Sequence, residues 1–340
     1  MSDRSHFTRR RFLGTLGASL LTPAILSSTL TSCKPIVLGA DSNSDSELPP
    51  SPDPKEAVMG HPTIIDAVHL RVRSLERTLS FYTSVLGLTL LSEEEATASL
   101  GLPESPDRPL LYLHQSPDAP PRSPLAAGLF HIAFRVPHES SLADSLRRIQ
   151  GAGDRLDGAS NHGISHALYL RDPEGNGLEV YFDRPQDEWP LLPNGHLRLA
   201  TRRLDLQRLL ESPPSPESQR LPAGTDIGHI HLEGLRIEDA KRFYVDLLGL
   251  DITVDLPSVL FTSRSGYHHH VGLNIWNRRQ EPRDPDSLGL LAIEATLPAA
   301  HTPELIETAQ LLGFPLDPNS PTGRLILTDS DQIQWRLLRS

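Results

Sequence analysis

The chain has 340 residues, of which 38% are hydrophobic and 22% are charged, so it is long enough for two ordinary domains with a substantial core. Its formal net charge of −11 argues against a nucleic-acid partner, because proteins of that class need a basic face for the phosphate backbone. The single cysteine excludes an intramolecular disulfide.

The N-terminal residues carry signals for export. Residues 8–13 (Thr-Arg-Arg-Arg-Phe-Leu) match the twin-arginine pattern, and the weakly apolar stretch after them is too polar for a transmembrane helix. That stretch ends in Leu-Thr-Ser-Cys, which is similar to a lipobox; the alternative is an incidental thiol in a discarded peptide. We therefore predict a signal over residues 1–33, export to the cell envelope or extracellular face, and a lipid anchor at Cys33. Residues 34–60, rich in Ser, Asp and Pro, predict a disordered linker.

The strongest internal signal is a repeat. A short strand around His69 leads into a helical stretch that contains Phe-Tyr-Thr-Ser-Val-Leu-Gly-Leu at residues 81–88. A second copy contains Phe-Tyr-Val-Asp-Leu-Leu-Gly-Leu at residues 243–250. Each copy is predicted to be a strand followed by an amphipathic helix, which Gly87 or Gly249 ends as a C-cap.

This repeat resembles the vicinal-oxygen-chelate superfamily, which includes glyoxalase I, fosfomycin-resistance proteins and extradiol dioxygenases. The resemblance implies an α+β fold of four βαβββ modules, paired into two cup-shaped mixed sheets of a kind that holds one metal. We place the modules at about 63–116, 127–185, 225–277 and 287–340. The implied domains are residues 61–185 and 225–340, with residues 186–224 as the connector.

The second module carries the most specific motif. Residues 162–179 resemble the extradiol dioxygenase signature, in which a His, a Leu-Tyr, an Asp-Pro-x-Gly turn and a Glu recur at set spacings; Ser160 departs from the family pattern. The turn at residues 172–177 joins a strand with Tyr169 to a strand with Glu179, so both side chains can face one cavity. A carboxylate among apolar neighbours needs a partner, which a metal supplies; a water-facing glutamate on an edge strand is the alternative.

The resemblance implies a metal ligand at His131, in the first strand of module two; a buried imidazole bonded to a backbone carbonyl is the alternative. With Glu179 and one more histidine it would form the facial triad of non-haem iron(II) enzymes. His229 has the family's spacing before its Phe-Tyr pair, whereas His69 stands two residues nearer to its own pair, and the family position there falls on Ala67. We therefore predict His131, Glu179 and His229 as the metal ligands. His69 stays open, because residues two apart on a strand share a face.

Module three adds three consecutive histidines at residues 268–270. This stretch resembles the Arg-His-His segment of extradiol enzymes, which supplies a catalytic histidine; the alternative is a surface run. His231, equivalent to His69, is expected either to face the core or to lie beside the ligands. Module four has Leu-Leu at residues 290–291 and Gln334 at ligand positions, and is expected to be free of metal. Ligand counting therefore predicts that modules two and three pair, and that modules one and four form an empty cup.

These resemblances imply an extradiol ring-cleaving dioxygenase that binds Fe(II), or Mn(II) on the same ligands, and acts on a catechol-type aromatic diol with O2. The catalytic residues implied are His162, Tyr169 and His270, with His269 as the alternative to His270. A histidine would serve as acid–base, since imidazole titrates near neutral pH, and Tyr169 would donate a hydrogen bond to a substrate oxygen. The alternatives are a glyoxalase-type metal-dependent isomerase, which needs two His and two Glu ligands, and a metal-free small-molecule-binding protein. Membrane contact is expected only through Cys33.

Overall fold

The computed structural model describes residues 64–192, 197–198, 200–297, 302–318, 320 and 324–339. All of them belong to the unit Pro35–Ser340. The predicted signal over residues 1–33, the predicted anchor Cys33 and the predicted linker over residues 34–60 lie outside the described residues. Among the helices that are described, none is both long enough and apolar enough to cross a membrane.

Four modules follow one another along the chain, and each begins with a strand and a helix. Module one consists of β1 (Ile65–Val72), α1 (Leu75–Phe81), β2 (Thr89–Glu94), β3 (Thr97–Gly101) and β4 (Leu111–Gln115). Module two consists of β5 (Gly128–Arg135), α2 (Glu139–Gly151), β6 (Gly158–Asn161), β7 (Ser165–Arg171) and β8 (Gly177–Asp183). The connector contains a 3-10 turn (Gln186–Glu188), β9 (Arg202–Arg203) and α3 (Leu206–Leu209).

The second half repeats this order. Module three consists of β10 (Asp226–Glu233), α4 (Ile237–Lys241), β11 (Asp251–Leu256), β12 (Val259–Ser263) and β13 (Val271–Asn274). Module four consists of β14 (Gly289–Leu297), α5 (Thr302–Leu312), β15 (Arg324–Thr328) and β16 (Gln334–Arg339). Among the described residues of module four, two strands follow the helix, and Leu316 forms an isolated bridge to Leu327. The α+β fold built from repeated modules is confirmed.

The repeated helix ends where the sequence predicts. Ser74 caps the start of α1 by accepting a hydrogen bond from the backbone N–H of Arg77, and the helix continues as a π-helical turn over Tyr82–Leu86. Gly87 ends it with φ +90°, and a Cβ there would lie 2.7 Å from the guanidinium of Arg148. Glycine at this position is thus required both by backbone conformation and by close packing.

The tyrosine of each Phe-Tyr pair ties one module to the next. The hydroxyl of Tyr82 donates to Oδ2 of Asp172 at 3.0 Å, and the hydroxyl of Tyr244 donates to Oδ2 of Asp329 at 2.8 Å. Each aspartate lies in the turn before the last strand of its module. The repeated tyrosine therefore anchors the turn of module two in one half and that of module four in the other.

The order of strands shows how the modules pair. The main path of the sheet runs β15-β16-β14-β1-β10-β5-β8-β7-β6-β9. β10 of module three lies antiparallel to β5 of module two, and β1 of module one lies antiparallel to β14 of module four. Modules two and three therefore form one cup, the two–three cup, and modules one and four form another, the one–four cup, as ligand counting predicts. The domain boundaries at 61–185 and 225–340 stay a prediction.

Candidate metal centre

Four neighbouring strands of the two–three cup carry one row of paired residues. His229 on β10 pairs with Ala133 on β5. Ala133 in turn pairs with Glu179 on β8, which pairs with Tyr169 on β7. Paired residues point to the same face of a sheet, as do residues two apart, which adds His131 on β5. The small side chain of Ala133 leaves room between the larger side chains around it.

The imidazoles of His131 and His229 converge on the carboxylate of Glu179. Nε2 of His131 lies 2.9 Å from Oε2 of Glu179, and Nε2 of His229 lies 3.3 Å from the same oxygen. The two Nε2 atoms are 3.4 Å apart. All three side chains are buried. These residues form a group of possible metal ligands whose donor atoms all lie within 4.8 Å of one another.

Burial and the neighbouring charges set the protonation of this group. Burial lowers the pKa of His229 to about 4, although the charge of Glu179 acts in the opposite direction. Burial alone would raise the pKa of Glu179, but the charge of His229 and the hydrogen bond from His131 together outweigh it and hold that pKa well below its usual range. These shifts favour an ionised Glu179, and the neutral form of His229 has a lone pair that can bind a cation.

The donor set fits a divalent metal ion. A buried carboxylate needs a positive partner, and the two imidazoles beside it are the nitrogen ligands that transition metals accept. Two histidines and one carboxylate on one side of a site are the facial triad of non-haem iron(II) enzymes, which leaves other positions for substrate and oxygen.

Tyr169 and His162 lie at one side of this triad. The ring centroids of Tyr169 and His131 are 5.7 Å apart, and the Tyr169 hydroxyl lies 2.9 Å from Nε2 of His162. Nδ1 of His162 lies 3.2 Å from the carbonyl oxygen of Ala200. Because a carbonyl only accepts, Nδ1 carries the hydrogen of the neutral imidazole, and Nε2 accepts from Tyr169. Burial lowers the pKa of His162, which favours this neutral form.

His269 packs directly on a predicted ligand. Its ring centroid lies 4.1 Å from that of His229, and the ring stacks on Phe261 at 4.3 Å. Nδ1 of His269 lies 2.8 Å from Nδ1 of His268, whose Nε2 lies 2.8 Å from Oδ1 of Asp183. A chain of hydrogen bonds thus runs from Asp183 through His268 to the histidine above His229.

His270 is held differently. Its Nδ1 accepts a hydrogen bond from the backbone N–H of Arg264 at 3.1 Å and lies 3.1 Å from the hydroxyl of Ser263. The structure thus brings His269, rather than His270, against His229. The catalytic role assigned to His270 stays a prediction.

Comparison with known proteins agrees with this fold and site. Residues 64–180 match the family described as the Glyoxalase/Bleomycin resistance protein/Dioxygenase superfamily. Catechol-2,3-dioxygenase of Bacillus subtilis (strain 168) is 40% identical over 249 residues, which cover 72% of this chain and 85% of the relative. This chain belongs to that superfamily. It is an enzyme of the extradiol dioxygenase-like kind.

Further members show how far the similarity extends. Biphenyl-2,3-diol 1,2-dioxygenase 3 of Rhodococcus globerulus is 31% identical over 114 residues, which cover 34% of this chain and 60% of that protein. The crystal structure of glyoxalase I from Zea mays superposes with a TM-score of 0.53 at 15% identity, covering 82% of this chain and 92% of that one. The similarity to glyoxalase I from Zea mays concerns the fold alone.

Asp183 is a site residue to which sequence reasoning gave no role. It follows Glu179 by four positions on β8 and therefore points to the same face, which is the signal that could have found it. Burial would raise the pKa of Asp183, but the charge of His268 and the hydrogen bond with it, together with other neighbours, lower that pKa. The hydroxyl of Tyr267 donates to Oδ2 of Asp183 at 2.7 Å. Asp183 is thus an ionised anchor for the histidine run.

Gly177 allows the strands of the centre to come together. A Cβ at this position would lie 1.9 Å from the carbonyl oxygen of Phe130, so β8 approaches β5 beside His131 more closely than any other residue would permit. The last glycine of the predicted turn therefore serves the site and not the turn alone.

His231 lies where the sequence places it, beside the ligands. It pairs with His131 across β10 and β5, and their ring centroids are 4.9 Å apart. Nε2 of His231 lies 3.1 Å from the side-chain amide nitrogen of Asn274. His69, the competing ligand candidate, lies instead in the one–four cup, where its Nε2 is 3.2 Å from Oε1 of Glu294.

The one–four cup carries different side chains at the positions of the triad. Ala67 pairs with Glu294, as His229 pairs with Ala133 in the two–three cup. Glu294 in turn pairs with Arg336, as Ala133 pairs with Glu179. Ala292, paired with His69, takes the position of His131. The positions equivalent to the ligands are therefore Ala67, Ala292 and Arg336. The expected ligand positions in module four, residues 290–291 and Gln334, were wrong because sequence spacing could not fix the strand register.

Proposed function

We propose that the two–three cup binds Fe(II) and that the enzyme uses O2 to cleave the ring of a catechol-type aromatic diol, at a bond next to the two hydroxyl groups. The observation that carries this proposal is the convergence of His131, Glu179 and His229 on one buried point. The relatives named above support the substrate class, since catechol and biphenyl-2,3-diol are both vicinal aromatic diols. Mn(II) is the second metal that this ligand set would accept.

Bound Fe(II) would hold the diol and O2 next to each other and stabilise the developing charge. His269 is placed to move a proton. When His268 is neutral and its Nε2–H donates to the carboxylate of Asp183, Nδ1 of His268 accepts from Nδ1–H of His269. In the neutral form, Nε2 of His269 then carries a lone pair. We assign this atom the role of taking a proton from the diol.

Tyr169 would orient the diol from the other side. Because its hydroxyl donates to Nε2 of His162, its oxygen is set to accept a hydrogen bond from a substrate hydroxyl. This direction is opposite to the donation that the family resemblance implies. A proton accepted at Tyr169 can continue to His162, whose position is fixed by the carbonyl of Ala200.

Metal analysis combined with oxygen uptake tests the proposal on the full chain. We expect about one iron per chain, consumption of O2 when catechol is added, and absorption from a conjugated ring-opened product. Glu179→Gln is the matched control, which keeps the side-chain shape but removes the ligand charge. Isomerisation of a hemithioacetal without oxygen uptake would favour the glyoxalase-type function instead. Binding of catechol by a protein that takes up no metal would favour the metal-free alternative.

We also propose that residues 1–33 direct export and that Cys33 carries a lipid. Twin-arginine signals carry folded proteins, and metal binding is coupled to folding, so iron would be inserted before export. Arg9→Lys combined with Arg10→Lys should leave an active, iron-loaded protein in the cytoplasm. Cys33→Ser should move exported protein from the membrane fraction to the soluble fraction. Cell fractionation with immunoblotting checks both, and an unchanged distribution contradicts the proposal.

A further inference from the structure

The one–four cup contains a charged cluster that the proposed reaction does not use. Arg336 on β16 pairs with Glu294 on β14, and Arg336 is at the position equivalent to Glu179. Arg324 on β15 donates from its guanidinium to Oε1 of Glu294 at 2.8 Å. The carboxylate of Glu294 is buried, whereas 40% of the Arg324 side chain is exposed. The cluster therefore extends from a buried carboxylate to a guanidinium in contact with solvent.

Two guanidinium groups lie near this one carboxylate, but only that of Arg324 is hydrogen-bonded to it. Nε of Arg336 donates to Oε1 of Gln334 at 3.0 Å, and Arg336 forms no other hydrogen bond or ion pair with the described residues. Asp66, whose charge also reaches Glu294, is engaged by the hydroxyl of Thr296 at 2.7 Å. The remaining N–H groups of this half-buried guanidinium are open to an anion, which can accept charge-assisted hydrogen bonds from them.

A wall of stacked rings lies beside the charges. Tyr112 stacks on His69 with centroids 4.4 Å apart and planes 7° apart, and His114 stacks on His69 at 5.2 Å and 19°. Nδ1 of His69 lies 2.9 Å from Nε2 of His114, which fixes both rings. After burial and the charge of His69, the charge of Arg336 helps to lower the pKa of His114 to about 4. Arg336 pairs with Glu294, which pairs with Ala67 two residues before His69, so this register places Arg336 near the rings.

We propose that the one–four cup binds a small planar organic carboxylate. The carboxylate would accept two parallel hydrogen bonds from the guanidinium of Arg336, the geometry that arginine favours. The flat body of the ligand would lie along the ring of Tyr112, which is half-buried. This site is separate from the proposed catalytic centre and goes beyond the reaction proposed there.

Calorimetric titration of the full chain with benzoate tests the proposal. The titration uses the His131→Ala variant, so that binding at the metal triad does not contribute. We expect saturable binding of benzoate, weaker binding at higher salt, and at least about tenfold weaker binding of the neutral analogue benzamide. Equal binding of benzoate and benzamide, or no binding of benzoate, overturns the proposal, and these two results require no substitution within the cup.

Arg336→Gln locates the binding. It should weaken benzoate binding at least about tenfold, whereas Arg236→Gln, at the exposed N-cap of α4, should leave the affinity unchanged. Circular dichroism checks that both variants fold, and Arg324→Gln replaces Arg336→Gln if the latter does not. Unchanged affinity in a folded cup variant overturns the assignment. Oxygen uptake by the wild-type enzyme is measured separately, so failure here leaves the proposed reaction untouched.

Discussion

The two–three cup and the one–four cup share a strand arrangement but differ in the row of side chains across their floors. In the two–three cup the row reads His229, Ala133 and Glu179. In the one–four cup the row reads Ala67, Glu294 and Arg336. The carboxylate of the one–four cup, Glu294, is at the position equivalent to Ala133, one strand away from that of Glu179. The guanidinium of Arg336 is at the position equivalent to Glu179.

Because of this difference, the two cups favour ligands of opposite charge. In the two–three cup a buried carboxylate stands among nitrogen ligands, a set that a cation balances. In the one–four cup two guanidinium groups stand beside one buried carboxylate, an excess of positive charge that favours an anion. The repeated backbone therefore supplies a concave sheet with fixed register, and the residues at three equivalent positions decide the sign of the ligand.

The largest effect that separates the cups concerns metal binding. His131→Ala, Glu179→Ala and His229→Ala should each abolish bound iron, with at least about a thousandfold loss of oxygen uptake, because each removes one of three ligands. His69→Ala, in the other cup, should leave iron and most activity in place. Iron analysis of the purified variants checks this. Iron retained in His229→Ala but lost in His69→Ala would show that the metal occupies the one–four cup.

A smaller effect separates two adjacent histidines. His269→Gln should lower kcat by about 10²- to 10⁴-fold while iron stays bound, because Nε2 of His269 is assigned as the base above the ligands. His270→Gln is the matched control and should leave kcat within about tenfold, since His270 is bonded to Ser263 and Arg264. Single-turnover kinetics with iron-loaded protein measures both. The reverse order would return the catalytic role to His270.

The candidate ligands that the structure brings together in the two–three cup could be picked out in the sequence because each lies on a strand with a recognisable neighbour. Spacing to the Phe-Tyr pair favoured His229 over His69, and the turn motif identified Glu179. The pairing of modules followed from where the ligands are. Such reasoning combines the two-residue alternation of strands and the repeat with the ligand positions that the family resemblance implies.

Other features could not be predicted because they depend on register or on loop conformation. β10 and β5 shift register between Ile227 and His229, and no sequence pattern announces that irregularity. The histidine run precedes β13 in a loop, where alternation gives no direction, so the choice between His269 and His270 needed coordinates. The position of Arg336 opposite Glu294 likewise depends on how two distant strands align.

The two turns that follow the repeated tyrosines offer a finer comparison. Oδ2 of Asp172 accepts from both Tyr82 and the side-chain amide of Asn176, whereas the position equivalent to Asn176 in module four is Ile333. Tyr244→Phe should therefore destabilise the fold by about 2–3 kcal/mol, and Tyr82→Phe by about 1–2 kcal/mol, because a buried carboxylate loses a donor in each. Urea unfolding of both variants checks the order. Equal losses would mean that the second donor on Asp172 has no effect.

The smallest effect concerns pH and the turn of module four. Burial, together with the charge of Asp329, raises the pKa of Asp331 to about 7. The folded state therefore keeps this proton at pH values where the unfolded chain has lost it, so stability should fall as pH rises from about 4 to 7. Asp331→Asn removes the part of this dependence that Asp331 contributes, while buried Asp329, whose pKa is raised to about 6, keeps its own part. From pH of about 4 to 7, the free energy of unfolding of the variant should rise relative to that of the wild type by on the order of 2 kcal/mol. Oδ1 of an asparagine can still accept from the backbone of Leu235, as Asp331 does at 3.3 Å. Glu174→Gln, at the equivalent and less buried position of module two, is the control. Urea midpoints measured between pH 4.5 and 7.5 should change with pH in this variant as they do in the wild type. Midpoints that shift equally for both variants would contradict the prediction.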